Sequence, residues 1–346
     1  MAMVCGLDLH RGQITFDAAV VENGEVWRGR LWSPDRERFR RWLREDVARR
    51  AGDGPVSIAV EGCTGWRYVV EEVMAAGFDA HLAEPADTQA ARGRKQRAKT
   101  DRSDARLLRV LLEDGELPES WIAPELVLEW RERVRVYKAL VDQRTQWVQR
   151  IHAELYQHGV AVPEGAIRSA ATRASLETVE LSVAARERVT IGYRMIDDTD
   201  AIALPLKKEL QHFGSRQPGC RALVDAHYGI GGLLATVIWS ELGDCQRFHR
   251  SMQVVRHAGL DVTVDQSDRR RPGGHLSRQG PVTLRWALYE AAKNSSHGRS
   301  PDHGYYATVK ARHDGKLAAI SVARQLARRC YHTLRAVDPE QVYAMP

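Results

Sequence analysis

The feature that most restricts how this chain can fold is the order of apolar segments in its N-terminal third. Three strand-like segments come first, and Asn23-Gly24 joins the second to the third. This dipeptide favours a tight hairpin because both of its residues tolerate positive φ. Helical and strand-like patterns then alternate. The sequence predicts strands over residues 4–9, 14–21, 25–31, 56–60 and 78–83, and helices over residues 34–50, 66–76 and 103–113.

This order predicts an α/β domain over residues 1–122, built on an RNase H-like sheet. A flavodoxin-like or Rossmann sheet would not normally open with a three-stranded meander. In an RNase H-like sheet the first and fourth strands are neighbours. Residues at the ends of these two strands should therefore lie close together.

Residues 123–215 change to a helical pattern. Seven apolar residues follow the 4-3 spacing that is typical of a coiled coil, and Arg144 takes the one missing place. A second helical stretch runs from about residue 171 to residue 213. We expect an antiparallel coiled-coil arm here, and an ordinary helical bundle is the alternative. The seven residues are Trp130, Val134, Tyr137, Val141, Val148, Ile151 and Leu155.

Residues 216–346 predict a third, mainly α-helical domain. A glycine-rich turn at residues 229–232 leads into a helix that ends near Glu241, and a loop rich in glycine and arginine covers residues 261–280. Further helices are predicted over residues 282–294 and 317–334. The turn resembles a helix-hairpin-helix turn, which would either bind phosphate through backbone N–H groups or only pack tightly.

The balance of charge favours a polyanionic partner. Lys and Arg number 51 against 45 Asp and Glu, which gives a net charge of +6. A solvated basic surface would also account for this excess, but the basic residues cluster over residues 92–102, 269–271 and 324–335. The last cluster forms a stripe that suits a nucleic-acid backbone. Its arginines are Arg324, Arg328, Arg329 and Arg335.

Cysteine use and hydropathy limit the class of protein. The five cysteines form no CxxC pair, which argues against a disulfide framework and a zinc site and fits reduced thiols. No secretory leader pattern opens the chain, and no stretch approaches the length of about eighteen apolar residues that a membrane span needs. We therefore expect a soluble, cytoplasmic protein without membrane contacts.

Four acidic residues are placed to converge. Asp8 lies between apolar residues of the first strand, where a carboxylate is costly to bury unless it is paired or binds a metal. Glu61 directly follows the fourth strand, and Asp101 and Asp104 share one face at the start of the closing helix. Converging carboxylates repel one another unless cations neutralise them. The pattern predicts a site for Mg²⁺, with Mn²⁺ as a further possibility, and two such ions can support phosphodiester displacement.

Asp101 and Asp104 have an alternative role. Together with Thr100 and Ser103 they could simply cap the helix, because acids and hydroxyls are favoured at helix N-termini. Each acid on its own is weak evidence for a site. The combination of one acid in the first strand, one after the fourth and a pair on the closing helix favours a metal site.

At these residues the sequence resembles the DEDD transposases of the insertion-sequence family usually numbered one-hundred-and-ten, whose nuclease domain is RuvC-like. The resemblance spans nearly the whole chain, and its motifs are specific in combination and order. In the N-terminal domain it is carried by Gly6-Leu7-Asp8, Val60-Glu61-Gly62 and the run from Lys99 to Ala105. In the C-terminal part it is carried by Tyr228-Gly229-Ile230-Gly231, Glu241-Leu242-Gly243-Asp244, Ala258-Gly259-Leu260, Gln266-Ser267-Asp268, Gly274 to Gly280 and Leu284 to Leu288.

The resemblance implies a division of labour between domains. Asp8, Glu61, Asp101 and Asp104 would bind Mg²⁺, while a serine of the C-terminal domain attacks DNA and forms a transient 5′-phosphoserine link. By position this serine is Ser267, with Ser277 as the alternative. The family also implies a structured non-coding guide RNA and a homo-oligomer with composite sites. We expect a dimer or tetramer formed through the coiled-coil arm, associated with the nucleoid when it acts on DNA.

The residues around Ser267 allow a second assessment. A serine hydroxyl needs a base or a metal to act as a nucleophile. Asp265 and Asp268 lie beside it, and the arginines at 269–271 could hold a phosphate by paired hydrogen bonds. Without the resemblance, Ser267 would pass for an ordinary loop serine. Because no His-Asp pair accompanies it, activation by a cation from the acidic site is the better hypothesis.

Three other functions compete with RNA-guided DNA recombination. A RuvC-like endonuclease that cuts DNA junctions with metal-activated water needs the four acids and no serine. A degenerate nucleic-acid-binding protein would not need the acids at all. A sugar-kinase-type ATPase shares the opening meander, but no glycine-rich phosphate-binding signature follows the first strand.

Overall fold

A computed structural model describes residues 2–91, 100–162, 166–262 and 275–345. The chain divides into two compact units, Met1–Ile122 and Ala123–Pro346. The predicted further division of the second unit at residue 215 stays a prediction.

Unit 1 contains one mixed sheet of five strands. They are β1 (Met3–His10), β2 (Gln13–Val20), β3 (Val26–Trp32), β4 (Val56–Glu61) and β5 (Asp79–Ala83), in the order β3-β2-β1-β4-β5. Strands β1 to β3 form the antiparallel meander, and β4 and β5 run parallel to β1. The five predicted strands are confirmed within a residue or two. Their order is consistent with an RNase H-like domain.

The helices of unit 1 largely follow the prediction. The first begins after the N-cap Asp35 as α1 (Arg36–Trp42) and continues through a π-helical turn at Leu43–Val47 into α2 (Ala48–Ala51). Two further predicted helices are α3 (Trp66–Ala75) and α5 (Asp101–Glu113). Between β5 and α5 lies α4 (Pro85–Ala91), which the sequence analysis missed.

The two faces of the sheet differ in character. One face is apolar, and its core is completed by residues of α1 to α3; members of this core are Cys5, Leu7, Ile14, Phe16, Phe39, Trp42, Ile58, Val60, Val69 and Val73. The other face lies under α5 and carries small or polar side chains. Gly6 and Asp8 of β1 stand there opposite Asp17 and Thr15 of β2. Any functional polar group of the sheet therefore lies on the α5 side.

The described part of unit 2 is helical. Its helices are α6 (Glu125–Gln157), α7 (Ala170–Glu177), α8 (Val183–Arg216), α9 (Pro218–Ala226), α10 (Gly232–Leu242), α11 (Ser251–His257), α12 (Val282–Lys293), α13 (His303–Arg312), α14 (Gly315–Ala336) and α15 (Pro339–Val342). Short 3₁₀ turns cover Ala166–Arg168 and Asn294–Ser296. None of these described helices, nor any in unit 1, combines the length and apolarity that a membrane span requires.

The first long predicted helix of unit 2 is present as α6, while the helical stretch predicted over about residues 171–213 is divided into α7 and α8 by a break at residues 178–182. Helices α6 and α8 pack against each other. They also have other partners. Ile167 and Leu176, from the 3₁₀ turn and α7, join Ile151 and Leu155 in one core. At the opposite end Trp130 of α6 stacks on Phe213 of α8, with ring centroids 3.7 Å apart, and α10 packs on both helices. A coiled-coil arm therefore stays a prediction.

The glycine-rich turn before α10 packs tightly against its neighbours. Gly229 has φ +85°, and a Cβ there would lie 2.6 Å from the carbonyl oxygen of Ala291. A Cβ on Gly232 would lie 2.5 Å from the carbonyl oxygen of Gln211 in α8. Close backbone contact thus accounts for these glycines. The predicted helices starting at 282 and 317 are confirmed as α12 and α14, while α9, α11, α13 and α15 were not predicted.

Candidate functional site

The candidate site of unit 1 depends first on Gly6. A Cβ on this residue would lie 2.1 Å from the carbonyl oxygen of Ala105 and 2.5 Å from the amide nitrogen of Arg109, both in α5. Only a residue without a side chain allows the helix backbone to approach the strand so closely. This contact holds the N-terminal end of α5 over the end of β1.

Asp8 follows two residues after Gly6, on the same face of β1. The residue is only 8% exposed, and its Oδ2 atom makes no hydrogen bond within the described part of the chain. Glu61 lies beside it, since Leu7 of β1 pairs with Val60 of β4 and the next residues are Asp8 and Glu61. The expected convergence of strand ends therefore holds for these two acids.

The start of α5 supplies the other two acids. Thr100 is the N-cap, and its hydroxyl and that of Ser103 form a reciprocal capping box. The cap thus consists of these two hydroxyls, and Asp101 is left to make contacts of its own. Its Oδ2 accepts a hydrogen bond of 2.6 Å from Nε2 of Gln13. Asp104 lies one helical turn further along the helix.

His10 joins the site although the sequence analysis did not select it. Its Nε2 lies 3.2 Å from Oδ2 of Asp8 and 3.4 Å from Oδ1 of Asp101. The ligating atoms of these three residues all lie within 4.8 Å of one another. A signal was available, because residues two apart on a strand share a face and His10 stands in that relation to Asp8.

The electrostatics of the site disfavour a lone charge on Asp8. Burial is the largest cause that raises the pKa of Asp8, to about 6. His10 opposes this shift, while Asp101, Asp104 and Glu61 add to it. Because all three acids raise the pKa of Asp8, their carboxylates must lie close to it. A site of this kind gains from any cation that neutralises it.

These residues fit a hard divalent cation. The donors are mostly carboxylate oxygens, which Mg²⁺ and Mn²⁺ prefer. The buried Oδ2 of Asp8 has no hydrogen-bond partner among the described residues, and such an atom is costly unless something pairs with it. The chemistry of these donors therefore suits a divalent metal ion.

A buried ion pair lies beside the site on the same face of the sheet. Asp17 of β2 is 2% exposed and accepts hydrogen bonds of 2.5 Å from Nε of both Arg109 and Arg28. Arg109, on α5, is also buried and forms a second, short ion pair with Glu113. The ion pair of Asp17 and Arg109 holds α5 against β2, and the close contact at Gly6 holds α5 against β1. The sequence analysis did not find this ion pair.

Neither candidate serine of unit 2 is established as a nucleophile. Ser267 lies outside the described residues, as do Asp265, Asp268 and residues 269–271. Ser277, the alternative, is described, and its hydroxyl donates a short hydrogen bond to Oδ1 of Asp261. Next to that pair, Val262 and Leu276 form an antiparallel bridge.

The predicted basic stripe on α14 contains two kinds of arginine. Arg329 donates to Oδ2 of Asp302 at 2.6 Å, and Arg335 donates to the carbonyl oxygen of Phe248 at 2.6 Å. These two side chains support the fold of unit 2. Arg324 and Arg328 line a surface depression together with Tyr305, and Nε of Arg328 also donates a hydrogen bond of 3.3 Å to Oγ of Ser251. Of the other basic clusters, residues 92–99 lie outside the described ranges.

Several motif residues of unit 2 have structural roles. Glu241 of α10 is 2% exposed, accepts a 2.6 Å hydrogen bond from Thr283 Oγ1 and lies 3.5 Å from Nε of Arg131. A Cβ on Gly259 would lie 2.2 Å from the carbonyl oxygen of Gln279, and one on Gly280 would lie 2.0 Å from that of His257. These glycines let the segments on either side of residues 263–274 pack together.

A sheet in an order consistent with an RNase H-like domain, with acids at the ends of neighbouring strands and on the covering helix, is typical of enzymes that work on phosphodiester bonds. Two family matches agree with this class. A DEDD transposase model of the IS110 type matches residues 5–159, and the family described as "Transposase IS116/IS110/IS902 family" matches residues 221–307. These matches identify the chain as an enzyme of the DNA transposase class, similar to the IS110 family in both units.

Two curated relatives support the same class. A protein of Sinorhizobium fredii, y4rJ, whose name assigns it to the transposases, is 28% identical over 74% of this chain and 69% of its own length. The transposase for insertion sequence element IS1111A of Coxiella burnetii is 23% identical over 68% of this chain and 65% of its own length. The matched region thus spans about two thirds of each relative.

Proposed function

We propose that this chain moves an insertion sequence by cutting and rejoining DNA, with an Mg²⁺-supported acidic site and a serine nucleophile. The acids are Asp8, Glu61, Asp101 and Asp104, and the nucleophile is Ser267. The observation that carries the proposal is the buried Oδ2 of Asp8, which accepts no hydrogen bond from the described residues and lies among three further acids that raise the pKa of Asp8. Carboxyl groups with strongly raised pKa values cluster at functional sites.

The proposed chemistry is a pair of phosphoryl transfers. The hydroxyl of Ser267 loses its proton as its oxygen bonds to the 5′-phosphate, and the 3′ oxygen of the broken bond leaves as a hydroxyl. A 3′ hydroxyl of the second DNA strand then displaces the serine, so that one phosphodiester bond replaces another. A bound Mg²⁺ would supply charge neutralisation for these transfers. The four acids would hold it.

Capture of the serine–DNA link tests the nucleophile. The full-length protein, with its RNA and a suicide DNA substrate, should form a covalent adduct that peptide mapping places on Ser267. Ser267→Ala should remove the adduct, whereas Ser277→Ala, a serine on the same segment, should retain it. An adduct mapped to Ser277 would transfer the role to that residue. No adduct under conditions of active strand transfer would refute serine catalysis.

A second candidate function is a structure-specific endonuclease of the RuvC type. It is favoured by one observation, namely that the acidic residues that act on Asp8 all belong to unit 1. Such an enzyme would use water as the nucleophile. Ser267→Ala would then leave the cutting of DNA junctions intact, while Asp8→Asn would abolish it.

We propose that the partners are the DNA of the element ends and target and a structured non-coding RNA that guides the protein by base pairing. The positive net charge supports polyanionic partners. We also propose a homo-oligomer, a dimer or tetramer, formed through α6 and α8. Light scattering of the purified protein and sequencing of the RNA that copurifies with it test these two points.

A further inference from the structure

We infer that His10 is a nitrogen ligand of the proposed metal site, and that it makes the site prefer Mn²⁺ and related transition ions over Mg²⁺. This inference rests on the proposed metal site of unit 1. It goes beyond that site because none of the four acids of the DEDD motif supplies nitrogen.

The first support is the way three atoms converge. Gln13 occupies Oδ2 of Asp101, and the other oxygen, Oδ1, therefore faces the site. That oxygen lies 3.4 Å from Nε2 of His10, and Oδ2 of Asp8 lies 3.2 Å from the same nitrogen. Neighbouring ligands of an octahedral ion at about 2.1 Å stand about 3.0 Å apart. The observed separations are close to that edge length.

The second support is the missing hydrogen bond at Asp8. If His10 acted only as a charged counter-ion, its N–H would be expected to donate to the buried oxygen it faces. Oδ2 of Asp8 accepts no hydrogen bond from the described residues, although the imidazole nitrogen is within reach. Nε2 of His10 and the two oxygens can therefore face a common ion.

The chemical consequence concerns selectivity. Mg²⁺ strongly prefers oxygen ligands, whereas first-row transition ions accept imidazole nitrogen readily. Replacing a water by an imidazole should therefore raise the affinity for Mn²⁺ more than that for Mg²⁺. His10 lies at the exposed end of β1 with 55% of its side chain accessible, so the ring can bind an ion without disturbing the packing of the core.

Pulsed electron paramagnetic resonance on the full-length protein, with Mn²⁺ alone as the probe, tests this inference. The wild type should bind Mn²⁺ with a nitrogen modulation from a directly bound imidazole. His10→Ala should lose that modulation, and its Mn²⁺ dissociation constant should rise roughly tenfold. Its Mg²⁺ dissociation constant, from competition with Mn²⁺, should rise less than about threefold. Thermal unfolding checks that the variant is folded.

His81→Ala is the matched control. It is the other histidine of unit 1, it lies on β5, and it pairs with Glu119 at 2.9 Å, so its loss should leave the modulation and both affinities unchanged. Binding of Mn²⁺ to the wild type without nitrogen modulation, but abolished by Asp8→Asn, would overturn the role of His10 and leave the acidic site standing. No binding to the wild type at all would overturn both.

Discussion

At Gly6 the covering helix approaches β1 so closely that a methyl group has no room, because its contacts would be with backbone atoms of Ala105 and Arg109. We predict that Gly6→Ala displaces the start of α5. The expected cost is about 1 to 3 kcal/mol in the free energy of unfolding of unit 1, as for other overpacked positions. Metal-dependent DNA cleavage should fall by at least tenfold. Hydrogen exchange of the sheet amides and a cleavage assay measure the two effects.

Gly12 provides the control for this prediction. It also belongs to the meander, but a Cβ built there meets no described atom within 4 Å, and its φ is not positive. Gly12→Ala should therefore retain stability and cleavage close to the wild type. Equal losses in both variants would show that the approach of α5 to β1 is not what matters at Gly6.

We predict that replacement of Asp8 by asparagine raises the stability of unit 1 but abolishes DNA cleavage. Burial raises the pKa of Asp8 to about 6, so the folded chain holds this proton more tightly than the unfolded chain does. Between about pH 4 and 6 protonation of Asp8 therefore favours folding, and at pH 7 the ionised group opposes it. With metal chelated, Asp8→Asn should stabilise unit 1 at pH 7 by about 1 to 2 kcal/mol, after allowance for solvent screening. DNA cleavage should be lost.

Denaturation at two pH values checks this reasoning. The advantage of Asp8→Asn should shrink as the pH falls from 6 towards 4, because the wild-type carboxyl is then neutral in the folded state and progressively loses its charge in the unfolded state. An asparagine variant that is less stable than the wild type at pH 7 would mean that the charge of Asp8 is compensated by groups other than a metal.

Individual site residues differed in how visible they were in the sequence. Asp8 and Glu61 could be predicted because they interrupt or follow apolar strands, and Asp101 and Asp104 because they share one face at the start of a helix. His10 could have been found from its strand spacing to Asp8. Gln13 could not, because its contact with Asp101 joins residues far apart in the chain and has no local signature. Whether the acids bind a metal stays a prediction.

At the scale of elements, α5 is fixed to the sheet by the buried pair of Asp17 and Arg109. Removal of one partner of a buried pair leaves an uncompensated charge, which typically costs about 3 to 5 kcal/mol. We predict a loss at the lower end of that range for Arg109→Met, since Arg28 still pairs with Asp17. The Mn²⁺ affinity should fall as well, because α5 carries Asp101 and Asp104. Metal titration and hydrogen exchange measure both effects.

Arg28→Met is the control that tests whether the position of Arg109 on α5 matters, or only the pairing of Asp17 with a positive charge. Arg28 makes a hydrogen bond of the same length to Asp17, but its side chain is 52% exposed and belongs to β3. A largely exposed pair contributes about 1 kcal/mol or less. The variant should thus be nearly as stable as the wild type and bind Mn²⁺ normally. Arg109→Lys should recover part of the loss, as it restores the charge without the planar guanidinium.

Predictability also differed among elements. Strands and long helices were found because their apolar residues repeat with a clear period. The helices α4 and α11 have seven residues each and α15 has four, too few for a period to show. The 4-3 stripe of α6 could not decide between an arm and a bundle. An apolar stripe on a helix can be covered by the partner helix of a coiled coil or by other helices of a bundle. Helix α10, for example, packs on α6.

For the molecule as a whole, the net charge of +6 does not distinguish arginines that are exposed from those that are buried or paired within the fold. Arg109 is buried in unit 1, and Arg329 and Arg335 are tied to Asp302 and Phe248 in unit 2. A count of basic residues therefore overestimates the surface that is available to nucleic acid. Arg324 and Arg328 remain as the residues of the predicted α14 stripe that line the surface beside Tyr305.

This division predicts how nucleic-acid binding responds to salt. Each phosphate contact contributes a slope of about −0.9 to the dependence of log K on log salt for duplex DNA. The double variant Arg324→Gln/Arg328→Gln should therefore lower the magnitude of that slope by up to about 1.8, with thermal stability near that of the wild type. Arg329→Gln should do the reverse, keeping the slope and lowering stability, since it leaves Asp302 without its partner. Fluorescence anisotropy at four salt concentrations distinguishes the two. If the slope of the double variant equals that of the wild type, the stripe on α14 does not meet the phosphate backbone, and the basic segments at 92–99 and 269–271 must carry that contact instead.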